Sequence, residues 1–103
     1  MIKIQINKTD NRYSSLEVSG HSNYDEHGKD IVCAGVSAIV TGGLNALTIQ
    51  NKSKISCRVN DGYVNVDVLD IKDDKLQAIM DVIVIQLRTI EESYKKYVKI
   101  SEK

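Results

Sequence analysis

An α+β fold, a two-layer sandwich of two helices on a mostly antiparallel sheet in the order ββαββα(β), is what the sequence predicts. Three observations carry the prediction. Stretches of apolar–polar alternation come in two pairs, each broken by a turn signal. Each pair is followed by a long segment whose apolar residues recur at helical spacing. Finally, 103 residues suffice for one modest core, and no linker or low-complexity tract divides them, so residues 1–103 read as a single domain.

Taken in order, Ile2, Ile4 and Ile6 alternate with Lys3, Gln5 and Asn7, the pattern of a half-buried strand. Asp10-Asn11 marks a turn, and Tyr13 to Ser19 forms a second, weaker strand that delivers His21 just past its end. A long apolar segment from Ile31 to about Gln50 reads as a helix, with Asp30 as its N-cap and Cys33 at its third position. Ala34, Ala38, Gly42 and Ala46 form a stripe of small residues on that helix, and close approach of a neighbouring helix or the sheet is expected there. Two glycines in mid-helix, Gly42 and Gly43, cost roughly 1 kcal/mol each relative to alanine, so close packing or a local kink should accompany them.

Ile55 to Asn60 alternates again, Asp61-Gly62 is a tight hairpin signal, and Tyr63 to Val68 is the returning strand. Cys57, in register with Ile55 and Val59, is expected to point into the core and be inert. Asp73 or Asp74 should cap a second helix running to about Tyr97, with its stripe on Leu76, Met80, Ile83, Leu87, Ile90 and Tyr94. Ile79, Val82, Val84 and Ile85 widen that stripe beyond what one sheet can cover, which points to a second contact such as a dimer partner. Val98 to Ser101 would make a short last strand.

Composition narrows the function classes. Hydrophobic residues make up 42 % and charged residues 27 % of the chain, and 14 Lys and Arg balance 14 Asp and Glu. A nucleic-acid binder of this size would carry a basic excess to displace counterions, so direct nucleic-acid contact is not expected. The N-terminal residues alternate rather than forming an unbroken apolar run, so no signal peptide is expected, and no apolar run is read as long enough to span a bilayer. A cytoplasmic protein with Cys33 and Cys57 both reduced is the resulting expectation.

The chemistry concentrates between Gly20 and Ser37. A cysteine in the first turn of a helix sits in a positive field that favours thiolate over thiol, and a histidine beside it can take its proton and later return it to a leaving group. Free cysteines are also among the most buried residue types, so Cys33 alone could be a core residue. His21 and His27 compete as the base; His21, anchored at a strand end, is preferred over His27 in a charged loop. Asp30 can cap the helix or turn to hold the imidazole, and Ser37 lies one helical turn beyond Cys33 on the same face. His21, His27 and Cys33 lack the closely spaced pairs of a zinc site, so no metal and no cofactor are expected.

Gly20-His21 and, downstream, Asp30-Ile31-Val32-Cys33-Ala34-Gly35-Val36-Ser37 resemble the signature of the ribosomal-processing cysteine protease family Prp, and the likeness extends over nearly the whole chain, including Thr89 to Tyr94. Members of that family are small cytosolic homodimers of Firmicutes and related bacteria. They remove the N-terminal extension of large-subunit ribosomal protein number twenty-seven beside a hydrophobic motif containing phenylalanine. The resemblance implies Cys33 as nucleophile and His21 as base, with Gly20, Asp30 and Ser37 supporting the site. It also implies that Ser22, Asn23, Tyr24, Asp25, Glu26, His27, Gly28 and Lys29 form a mobile loop that shifts as substrate enters. Ser22 departs from the alanine that commonly follows the histidine, a small change expected to be tolerated.

The expected reaction is attack of the Cys33 thiolate on a peptide carbonyl, with amides at the helix start stabilising the oxyanion and His21 protonating the leaving amine. The expected partners are a ribosomal protein precursor, through its N-terminal peptide, and a second copy of the chain. The alternative is a non-catalytic ribosome-associated protein that binds the same peptide without cutting it.

Overall fold

The computed structural model describes residues 1–26 and 29–103. Five strands and two helices follow the chain in the order β1 (Ile2–Thr9), β2 (Arg12–Ser19), α1 (Ile31–Asn51), β3 (Ile55–Asn60), β4 (Tyr63–Val68), α2 (Asp74–Ser93) and β5 (Val98–Glu102), with a short 3-10 turn, Lys52–Lys54, after α1. This is the α+β order expected, and its optional last strand is present. The sheet runs β3-β4-β2-β1-β5, antiparallel throughout except that β5 lies parallel to β1.

Register explains the core. Ile4 faces Val18 and Ile6 faces Leu16 across β1–β2, while Leu16 faces Val66 across β2–β4. Each of these pairs places its two side chains on one face of the sheet. Val32, Val36, Val40 and Leu47 of α1 and Leu76, Met80, Ile83 and Leu87 of α2 complete a single buried cluster with them. The β1–β2 turn is held by Asp10 and Asn11, both at positive φ (53° and 63°), a conformation short polar side chains tolerate and hairpins of this twist demand.

Several expectations are corrected by packing. The small-residue stripe does not make the close helix contact: Ala34, Ala38 and Gly42 are exposed, and a Cβ on Gly42 would meet nothing within 4 Å. The buried stripe of α1 is Val32, Val36 and Val40. Residues two apart on a helix lie about 200° apart around its axis, so Ala34 and Ala38 are turned away from the core. Gly43 instead meets α2, where an added Cβ would come within 2.6 Å of Ile83 Cδ1.

β3 is an edge strand, and only Ile55 on it is buried. Cys57 is therefore exposed rather than in the core, beside Val59, which is 63 % exposed. Desolvation of the thiol, with a contribution from the Asp67 carboxylate, nonetheless pushes the Cys57 pKa up.

α2 starts after the Asp73 cap but stops at Ser93, short of Tyr97. Tyr94 closes the helix by donating its N–H to the carbonyls of Ile90 and Glu91, and Tyr97 then accepts from Ile2 N–H at 2.8 Å. Pairing β5 beside β1 is what ends the helix. Finally, Ile31–Lys54 carries no acidic residue and is long and apolar enough by composition to cross a bilayer, contrary to the expectation that no apolar run reaches that length. Within this fold α1 is the core helix, with four of its apolar residues in the buried cluster.

Candidate active site

The loop after β2 and the first turn of α1 are built around one carboxylate. Asp30 caps α1: its Oδ1 accepts from Val32 N–H (3.0 Å) and Cys33 N–H (2.9 Å). Its Oδ2 accepts from the Ser22 hydroxyl and from Tyr24 N–H (3.0 Å). Desolvation acts to raise the Asp30 pKa, but the Ser22 hydroxyl and the backbone N–H groups of Cys33, Tyr24 and Asp25 outweigh it and hold the carboxyl at about 2, below an ordinary 3.8. Both oxygens are thus committed, so Asp30 is the cap and the loop anchor. Among the described residues it makes no hydrogen bond to His21.

Cys33 is half-buried at the third position of α1, and its sulfur faces Ser22. Ser22 N–H donates to Sγ at 3.2 Å, and the thiol in turn lies 3.3 Å from the Ser22 oxygen, to which it can donate. Ser22 is 3 % exposed, so its contacts are shielded from water. Of the amides at the helix start, those of Val32 and Cys33 are engaged by Asp30, and Ala34 N–H bonds the Asp30 carbonyl at 3.0 Å. Capping and oxyanion binding draw on the same first-turn amides, and here the cap holds two of them.

His21 is exposed at the far end of β2 and lines the same groove as Cys33. No hydrogen bond joins the two among the described residues. The imidazole rests on Gly62 of the β3–β4 turn: a Cβ there would lie 2.9 Å from His21 Nε2. Gly20 ties the strand end to that turn by donating its N–H to the Gly62 carbonyl at 3.0 Å. It also sits at φ +90°, where a side chain would strike the Met1 carbonyl oxygen at 2.5 Å, so glycine is required on both counts. Gly62 was legible only as a turn residue; its second role, as the floor under His21, depends on a contact between distant segments.

The groove has a volume of about 660 Å³. One wall is α1, presenting Cys33, Ser37 and Thr41, and the other is the turn from Asn60 to Tyr63. Ser37 is thus placed on the groove, exposed, as its spacing from Cys33 implied. Asn23 (φ 56°) and Asp25 line the rim, and Asp25 Oδ1 accepts from Glu26 N–H at 2.7 Å. Lys29 N–H reaches the Glu26 carbonyl at 2.9 Å. Tyr24 packs edge-on against Tyr94 and Tyr97, with ring centroids 5.7 and 5.1 Å apart, which fastens the start of the loop to the end of α2. His27 and Gly28, the remaining members of the loop, lie outside the described residues.

Comparison with known proteins agrees with this geometry. The family model of the cysteine protease Prp matches residues 1–99. The ribosomal processing cysteine protease Prp of Staphylococcus aureus is 31 % identical over 106 residues, covering 100 % of both chains. The crystal structure of the essential ribosomal processing protease Prp from S. aureus with a covalently linked product peptide superposes with a TM-score of 0.95 at 30 % identity, over 100 % of each chain. Its complex with a substrate peptide gives 0.88 at 29 % identity, again over 100 % of each chain. A helix headed by a cysteine, a histidine across a peptide-sized groove and likeness along the full length lead to one conclusion: the chain belongs to the ribosomal processing cysteine protease family Prp.

Proposed function

We propose that this protease removes the N-terminal extension of large-subunit ribosomal protein number twenty-seven, cutting beside a hydrophobic motif that contains phenylalanine, with Cys33 as nucleophile and His21 as base. The observation that carries the reading is the groove itself. It holds both side chains on facing elements and is lined by Ala34 of α1 and by Tyr63 and Val64 of β4, which offer apolar surface to an extended peptide.

The reaction runs in two halves. His21 takes the Cys33 proton, and Ser22 N–H, already on the sulfur, stabilises the thiolate. Sulfur attacks the scissile carbonyl, the C–N bond breaks, and His21 protonates the departing amine to leave a Cys33 thioester. Water, deprotonated by His21, then releases the product acid and restores the thiol. The imidazole works from its seat on Gly62, across the groove from Cys33, with the peptide seated between the two walls. Gly20 and Ser37 support the site from its two ends. We place the protein in the cytoplasm as a homodimer, for which Val82 and Ile85 of α2, 55 % and 56 % exposed, supply an uncovered apolar face.

The test is cleavage of a peptide spanning that extension by wild type, Cys33→Ala, His21→Ala and His27→Ala. Cutting by wild type and His27→Ala alone is expected. Cutting by Cys33→Ala refutes the chemistry, and an intact peptide with every variant refutes the substrate.

A further inference from the structure

We propose that Ser22 is a positioning residue that links the Asp30 carboxylate to the Cys33 thiol and holds the sulfur in one orientation for attack. The inference rests on Cys33 being the nucleophile. Three contacts of a single residue carry it: the Ser22 hydroxyl on Asp30 Oδ2, the Ser22 oxygen 3.3 Å from Cys33 Sγ, and Ser22 N–H 3.2 Å from the same sulfur.

Proton direction follows from the groups involved. An ionised carboxylate can only accept, so the Ser22 hydroxyl proton points at Asp30 and its lone pairs are left for Sγ–H and for Tyr24 N–H at 3.3 Å. The thiol donates to this hydroxyl while it is protonated; once the proton has left, the hydroxyl's bond to Asp30 keeps Ser22 seated, so that its N–H stays on the thiolate. At 3 % exposure no bulk water competes for these bonds. Asp30 Oδ1 is meanwhile occupied by the two helix amides. The carboxylate therefore acts on the nucleophile through Ser22 rather than on the histidine. An alanine at this position keeps the backbone N–H contact and loses the other two, so the link to Asp30 is supplied by the serine hydroxyl.

The experiment measures kcat and KM for cleavage of the same peptide, with thermal unfolding alongside, for wild type, Ser22→Ala, Asp30→Asn, the double variant and Cys33→Ala. Asparagine caps helices as well as aspartate does, so Asp30→Asn keeps the cap while replacing the carboxylate that receives the Ser22 proton. Ser22→Ala should lower kcat about fivefold, the worth of one neutral hydrogen bond, with KM within about twofold. Asp30→Asn should lower kcat similarly, and the double variant should be no slower than the slower single one, because both changes break one link. If Ser22→Ala folds poorly, Asp30→Asn carries the test by the same loss of kcat at unchanged KM. Wild-type kcat with only a lower Tm would assign Ser22 a structural role, and multiplying losses would make the two residues independent; either overturns the inference. Inactive Cys33→Ala beside fully active Ser22→Ala overturns this inference alone, whereas cleavage by Cys33→Ala overturns the nucleophile and this inference with it.

Discussion

Replacing Gly62 separates the stability of a turn from the placement of His21, the proposed base. Gly62 lies at φ +66°, where an L side chain costs about 1–2 kcal/mol. In a domain of this size 1 kcal/mol lowers Tm by about 4 °C. The second effect is spatial. A Cβ would stand 2.9 Å from His21 Nε2 and 3.4 Å from Cε1, and ordinary heavy-atom contact begins near about 3.5 Å, so the ring must withdraw by about half an ångström. His21 is exposed, so the shift costs little stability, but a catalytic group misplaced by about 1 Å can lose about a hundredfold in rate. Half that displacement corresponds to about a tenfold loss of kcat. Asparagine tolerates positive φ better than alanine yet carries the same Cβ. Gly62→Ala should therefore lower both Tm and kcat, and Gly62→Asn should lower kcat about as far with a smaller change in Tm. Steady-state peptide cleavage and thermal unfolding on the three proteins decide it. An asparagine variant with wild-type kcat would refute the claim that Gly62 places His21 for the proposed reaction.

Two neighbouring glycines of α1 should respond in opposite directions. Gly42→Ala adds a methyl into open space and gains helix propensity, raising stability by about 0.5–1 kcal/mol, whereas Gly43→Ala drives a Cβ to 2.6 Å from two Ile83 carbons and should lose about 1–2 kcal/mol net; denaturant titration of both reads the signs. Asp30 has a folded-state pKa of about 2, depressed below its ordinary 3.8, so its stabilisation is present above that ordinary value and lost as pH falls through it toward 2. Asp73, held down first by Lys54 and then by Leu76 N–H, contributes in the same direction. Asp30→Asn should flatten the fall of Tm on acidification over that window, and an unchanged acid limb would contradict the account. Ile85→Glu should shift a dimer toward monomer in sedimentation, and an unaltered sedimentation coefficient would remove α2 from the proposed interface.

Much of the architecture was readable because it is periodic. The alternation in Ile2–Ile6, the Asp61-Gly62 turn and the Asp30 and Asp73 caps each follow from nearest-neighbour stereochemistry, and all appear where expected. Errors arose where periodicity is ambiguous about direction. A stripe at 34, 38 and 42 and another at 32, 36 and 40 are equally regular, and only contact with the sheet selects the second. Likewise Ile55, Cys57 and Val59 alternate faultlessly, but alternation cannot say that β3 is an edge strand whose far end no helix covers.

By itself the sequence determined the element order, the place of Cys33 at the head of a capped helix and the delivery of His21 at a strand end. These depend on residues a few positions apart, whose geometry is dictated by local dihedral preference and hydrogen bonding. Tertiary structure decided the rest of the site. It brought Gly62 under His21 across a separation of 41 positions, turned Ser22 from a loop residue into the contact between Asp30 and Cys33, and engaged the Val32 and Cys33 amides in a cap. Those outcomes depend on which faces and loops meet once the core is packed, and no local pattern encodes a meeting between distant segments.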